Sequence, residues 1–403
     1  MAASDSSAPQ SVAKLSMSIL IFISACHFVN DVMQSLLVSL YPLLKANYHL
    51  DFFHVGLLTL AYQATASLLQ PMIGYVTDRK PMPYSLPASM LSTGIGLVLL
   101  AHAHSFAMLL VGACLIGTGS AIFHPEASRV TRLASGGRFG FAQSVFQVGG
   151  NGGGAIGPLL AAYFVLPFGQ SSVSWAALGT FAGFVMLLRV SAWYARFERR
   201  SAKTGRSPAA SPLPKRTIII ALSLLVFLQV VRATYSSSLN TYLLFYTMTQ
   251  FSLDGRSAQM VLFLFLAASA VGTLLGGPIS DRFGYRFTIW FSIIGTIPFA
   301  LALPYADLTW TYVLVAVIGL IFASSHAIIV VFAQELIPSR VGTIAGVFFG
   351  LSFGAGGLTA AALGYLADFY GIVFIYAVCS WMPLLCLVTL LLPRLPSREE
   401  KLG

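Results

Sequence analysis

The chain is a succession of apolar runs, each about as long as a bilayer crossing, separated by short polar breaks. A hydrocarbon core about 30 Å thick takes roughly 20 apolar residues per helical pass. Nothing inside that core satisfies an unpaired peptide group, so only helices and closed barrels span it. A barrel would alternate polarity over segments of about ten residues, whereas stretches such as 217–231 and 261–275 are apolar on every face. Helices remain. Only 9% of the residues are charged, against roughly 25% in soluble domains, so the expected fold class is an all-α membrane protein. Its twelve helices are read at 17–44, 53–76, 83–103, 105–132, 139–166, 170–195, 216–247, 257–279, 285–304, 308–335, 341–366 and 371–393.

A formal net charge of +10 raises the question of nucleic acid, but the basic residues sit at helix ends, and no nucleic-acid partner is implied. Positive loops are retained on the cytoplasmic side. With an even helix count, one face receives Lys14, Arg79 and Lys80, Arg132, Arg138, the run 196–216, Arg282, Arg286, Arg340 and the tail from Arg394. The other face has Lys45 and Arg256. Both termini are therefore expected in the cytoplasm of a bacterial inner-membrane protein. The first apolar stretch is too long for a signal peptide and lacks a cleavage site, so it reads as a retained helix. Cys26, Cys114, Cys379 and Cys386 lie in apolar runs without ligand spacing and read as small buried hydrophobes. With no GxxxxGK[ST] or HExxH string in the chain, no enzyme, cofactor or metal is expected.

One long connection, basic and rich in Ser and Pro, falls at 196–215 and reads as a linker between a six-helix half at 1–195 and another at 216–403. The halves repeat. GYVTDRK from Gly74 and GPISDRF from Gly277 share Gly-x-x-x-Asp-Arg, and two glycine-rich strings, from Val145 and from Val347, align at nearly the same offset. A parallel two-fold repeat of six helices belongs to transporters that rock two halves about a central site.

Ionisable residues inside apolar helices cost several kcal/mol unless paired or hydrated, and so point to function. Asp31, Glu126, Arg129 and Arg232 are the candidates, with Glu335 closing helix ten. Glu126 and Arg129 are three positions apart and can pair on one helical face. A guanidinium stays charged and offers paired donors to phosphonate or carboxylate oxygens, so Arg129 and Arg232 are the expected substrate contacts. Asp31 and Glu126 are the expected proton carriers, with His124 as a relay; substrate and carboxylate would compete for one cation. Asn30, Gln147 and Asn151 either line a wet cavity or bond helix to helix, and Tyr235 either shapes the pocket or serves as packing or an interface anchor.

The two Gly-x-x-x-Asp-Arg strings, placed after helices two and eight, resemble the motif of the major facilitator superfamily over essentially the whole chain. The resemblance implies a latch at the cytoplasmic helix ends, for which Asp78, Arg79, Asp281, Arg282, Glu335 and Arg340 are the candidates. Gly153, Gly157 and Pro158 are spaced like part of the glycine-proline motif of that superfamily's drug:proton antiporters. They either favour export or only let helices pack closely. HFVND from His27, FHPEASR from Phe123 and AQELIPSR from Ala333 look like the fosmidomycin-resistance branch. That likeness implies a monomeric, proton-driven exporter of a small anionic phosphonate. Two rivals stay open: uptake of an organic anion by the same helices, and a receptor that transports nothing.

Overall fold

The structure, a computed structural model, describes residues 15–50, 52–203 and 213–393. The N-terminal six helices are α1 (Met17–Ser39), α2 (Phe52–Arg79), α3 (Ser85–Ala101), α4 (Phe106–Ala134), α5 (Phe139–Leu160) and α6 (Ala176–Lys203). The C-terminal six begin with α7 (Lys215–Phe251), α8 (Gly255–Phe283) and α9 (Tyr285–Ala302). Helix α10 is broken into two arms, Leu308–Ala323 and His326–Leu336; α11 is Val341–Tyr370; α12 starts as Ile372–Cys379 and ends in short turns. Among the described residues, nine helices are long and apolar enough to cross a membrane. Large apolar side chains such as Leu60, Leu68, Phe181, Phe263, Leu358 and Phe369 cover the outer surface, which is the surface a bilayer solvates.

Apart from α12, which gives way to short turns after Cys379, the sequence boundaries hold to within about six residues, and three differences stand out. Helix α6 runs on to Lys203 and takes up the beginning of the expected linker; residues 204–212 lie outside those described. Helix α7 extends to Phe251. The third difference is the break in α10, whose cause lies in two other helices and is given below.

Close packing explains the glycine density of α5. Gly149, Gly153 and Gly157 recur every four residues and so share one face, pressed on α1. A Cβ added there would fall 2.1 Å from the Ser24 carbonyl oxygen, 2.3 Å from that of Phe28 and 2.6 Å from Ser35 Cβ. The Ser24 and Ser35 hydroxyls donate back to the carbonyls of Val145 and Gly154 at 2.7 and 2.8 Å, closing a seam in which small residues replace the missing hydrophobic drive between helices in lipid. Pro158 belongs to the same motif, but its side chain lies outside those described. Gly149→Ala, which meets backbone rather than a flexible side chain, should cost about 1–3 kcal/mol, the usual range for overpacking, read as a lower melting temperature of the detergent-solubilised protein.

Candidate functional site

At the basic end, where the Lys and Arg residues gather, the two six-helix groups seal each other reciprocally. Asp78, at the end of α2, accepts from the amides of Gly342 and Thr343 at 2.9 and 2.7 Å and from the Thr343 hydroxyl, at the first turn of α11. Asp281, at the end of α8, accepts from the amides of Gly140 and Phe141 at 3.1 Å each, at the first turn of α5. Each carboxylate thus satisfies orphan amides at the positive end of a helix from the other group. Gly74 and Gly342 make the approach possible: a Cβ on Gly74 would lie 2.2 Å from the Gly342 carbonyl oxygen. An ion pair from Arg132 to Glu335 and a 3.0 Å bond from Gln334 to the Ser128 hydroxyl add two more ties across the groups.

Arg129 belongs to this seal. Its guanidinium pairs with Asp78, donates to the Thr77 carbonyl and reaches the Tyr194 hydroxyl at 3.2 Å, while its Nε lies 3.6 Å from Glu126. The Glu126/Arg129 pairing expected from their spacing is present. Arg129 as a substrate contact and Glu126 as a proton carrier are not supported by it, because Asp78, Thr77 and Tyr194 already engage the guanidinium and the Glu126 side chain is fully buried. The basic members of the expected latch also fall elsewhere. Arg79 and Arg282 are exposed and lie over the rings of their neighbours Tyr75 and Phe283, and Arg340 is exposed; none makes an ion pair with another described residue. The carboxylates that make contacts at this end are Asp78, Asp281 and Glu335, with Arg129 and Arg132 as the cations paired to Asp78 and Glu335.

Deeper in the bundle, α1 presents His27, Asn30, Asp31 and Gln34 at helical spacing toward α4 and α5. His27 is fully buried and stacked on Phe146 with ring centres 4.0 Å apart. Its Nδ1 lies 2.8 Å from the Phe146 carbonyl oxygen and its Nε2 lies 3.3 Å from Asp31. His124 repeats the arrangement, with Nδ1 2.9 Å from the Ser120 carbonyl oxygen and Nε2 3.7 Å from the other Asp31 oxygen. A carbonyl only accepts, so both Nδ1 atoms carry hydrogen, and either ring, when neutral, turns an Nε2 lone pair toward the carboxylate. Three acceptors that converge repel one another unless a cation, of which the proton is the smallest, lies among them. Asn30 and Gln34 hold Asp31 by bonds of 3.0 and 3.1 Å, and Tyr62 holds Gln34. The carboxylate keeps 19% of its side chain exposed. Gly150 leaves it room, since a Cβ there would fall 2.7 Å from Asp31 and 2.5 Å from His27.

In the C-terminal group Arg232, on α7, is buried without a carboxylate partner among the described residues. It donates to the Ser292 hydroxyl at 3.1 Å and to the Phe322 carbonyl, and it covers the Phe322 ring at 3.9 Å. The Ser292 hydroxyl also donates to the Phe322 carbonyl, at 3.0 Å. In an unbroken helix that oxygen would accept from the amide of His326; here Arg232 and Ser292 take it, and α10 breaks at Ser324 and Ser325. His326 opens the second arm, within electrostatic reach of both Arg232 and His27.

Of the other expected residues, Gln147 and Tyr235 are buried with Oε1 and Oη lacking a hydrogen-bond partner. The Tyr235 ring meets Phe322 edge-on at 5.2 Å. Asn151 instead ties α5 to α8 through Thr273 at 3.3 Å. Sequence reasoning missed His326, Ser292 and Tyr194. His326 carried the signal already used for His124, a histidine inside an apolar helix.

Comparison with known proteins agrees with this architecture. The sequence profile of the Major Facilitator Superfamily matches residues 23–361 and 225–403. The chain is 48% identical over 381 residues to the fosmidomycin resistance protein of Escherichia coli K12, covering 94% of each. It is 38% identical over 378 residues to an uncharacterised transporter of Bacillus subtilis 168, covering 93% of this chain and 92% of the relative. Among solved structures, the human organic anion transporter MFSD10 superposes with a TM-score of 0.75 at 15% identity, covering 93% of this chain and 99% of that one. The fucose transporter FucP in its outward conformation gives 0.70 at 14% identity with the same coverage. At such identities these likenesses speak for the fold alone.

Proposed function

We propose, from the premise that this chain belongs to the Major Facilitator Superfamily and is a multi-pass membrane transporter, that it exports small anionic compounds of the fosmidomycin type in exchange for protons. The observation that carries the substrate class is Arg232: a buried guanidinium without a carboxylate, held at a helix break, needs an anion as counter-ion, and a phosphonate offers paired oxygens to it. Proton coupling is supported by the convergence of His27, Asp31 and His124. Asp31 carries the exchanged proton, with His124 as its relay. Their cluster and Arg232 occupy different six-helix groups, so coupling runs through the change of state rather than through competition for one guanidinium. Arg129, Glu126, Asp78, Asp281, Arg132 and Glu335 form the seal. The division into halves at 1–195 and 216–403, a cytoplasmic location of both termini and of the basic end, and a monomeric state complete the reading.

Everted vesicles test it. Fosmidomycin added to vesicles holding an acid-inside gradient should release protons through the wild type, and Asp31→Asn should reduce that release at least about tenfold, equivalent to 1.4 kcal/mol. Cells making the wild type should survive fosmidomycin and cells making Asp31→Asn should not. Accumulation of the compound by right-side-out vesicles would instead mean uptake.

A further inference from the structure

We propose that His27, Asp31 and His124 also bind one divalent transition-metal ion of the zinc type, and that the bound ion stops export. Two imidazoles and a carboxylate are a donor set for zinc, cobalt or nickel rather than for magnesium or calcium, which take oxygen. The three ligand atoms all lie within 4.8 Å of one another. Around an ion with bonds of about 2.0–2.2 Å, tetrahedral ligands stand about 3.3–3.6 Å apart. His27 Nε2 stands 3.3 Å from one Asp31 oxygen and His124 Nε2 3.7 Å from the other, close to this span.

Orientation is the second observation. A metal-bound histidine usually gives its other ring nitrogen to a carbonyl or carboxylate, which fixes the ring and its tautomer. Both histidines do so here, through Phe146 and Ser120, and Asn30 and Gln34 hold the carboxylate in place. The Nε2 of His27 is fully buried, lacks a hydrogen-bond donor and points into the cluster. The partly exposed face of Asp31 is the route by which an ion reaches it. A metal seated there occupies the atoms that carry the exchanged proton, so it replaces the coupling ion with one that does not leave. That consequence rests on the exporter reading, whereas binding itself does not.

Zinc titration of the purified, chelator-treated full-length protein in detergent, followed by calorimetry, should give one ion per chain. His27→Ala, His124→Ala and Asp31→Asn should each weaken binding at least about 10–100-fold, the range seen for loss of even the outer partners of a ligand. His102→Ala and His104→Ala, at exposed positions, should leave it unchanged. Cobalt should give the visible absorption bands of a tetrahedral site, and His124→Cys should shift preference toward cadmium, an outcome that an unfolded variant would not produce. In everted vesicles, zinc should block fosmidomycin-driven proton release by the wild type and a chelator should restore it. No stoichiometric binding, binding that survives loss of any of the three ligands, or export that continues with zinc bound would overturn the proposal. If the wild type exports nothing even without metal, the exporter reading fails while calorimetry still decides the site.

Discussion

Asp78→Asn should open the basic end. The Asp78 carboxylate is the shared anchor of Arg129 and of the first turn of α11, and the asparagine keeps its size while removing its charge. Arg129 would then stay buried with only Glu126, 3.6 Å away, to offset it. The ion pair with Arg129 lies within the N-terminal group, but the bonds from the Gly342 and Thr343 amides cross to the other group and exist only while the end is sealed; hydrogen bonds to a charged group are worth about 1.5–3 kcal/mol, and that loss falls on the sealed state. At 1.4 kcal/mol per factor of ten, the ratio of sealed to open falls by roughly 10–100-fold. Spin labels at the exposed positions Lys80 and Ser339, beside the two ends concerned, should report a longer and broader distance distribution. Arg79→Ala should leave that distribution alone, because Arg79 is exposed and contacts only Tyr75 among the rings nearby. An unchanged distribution in Asp78→Asn would remove the seal from the mechanism.

Arg232→Ala should abolish recognition of the anion while sparing the seal. Truncating one partner of a buried charge pair costs about 2–5 kcal/mol, so KM for fosmidomycin in proteoliposomes should rise at least about 30-fold. Arg232→Lys keeps the charge but loses the planar fork, and its KM should fall between the two. Spin-label distances across the basic end should stay as in the wild type, because Arg232 bonds only within the C-terminal group. A KM unchanged in Arg232→Ala would remove the substrate-binding role.

Much of this arrangement was legible in the amino-acid order. Crossing lengths follow from bilayer thickness. The reciprocal caps of Asp78 and Asp281 follow from a repeated string at a helix end, since their partners are backbone amides that any sequence supplies. Asp31 was found because a carboxylate in an apolar helix is conspicuous. Arg129 was conspicuous for the same reason, but its partners were not legible. Whether a guanidinium is free for a ligand depends on what stands opposite it, and Asp78 lies 51 positions away on another helix. The break in α10 was equally hidden: nothing in ASSHAI forbids a helix, and the cause is a carbonyl captured by Arg232 and Ser292, from α7 and α9. Local propensity does not report which distant donor wins an oxygen.

That captured oxygen makes the shape of α10 depend on cargo. An anion that draws both the Arg232 fork and the Ser292 hydroxyl toward itself would release the Phe322 carbonyl, which the loss of Arg232 alone leaves in the hold of Ser292, and the amide of His326 is the backbone donor that an unbroken helix would offer it. The two arms would then join into one straight rod, whose far portion carries Glu335 and the tie to Arg132. Filling the middle of the protein would in this way pull on its inner gate, so that loading and unlocking become a single mechanical event.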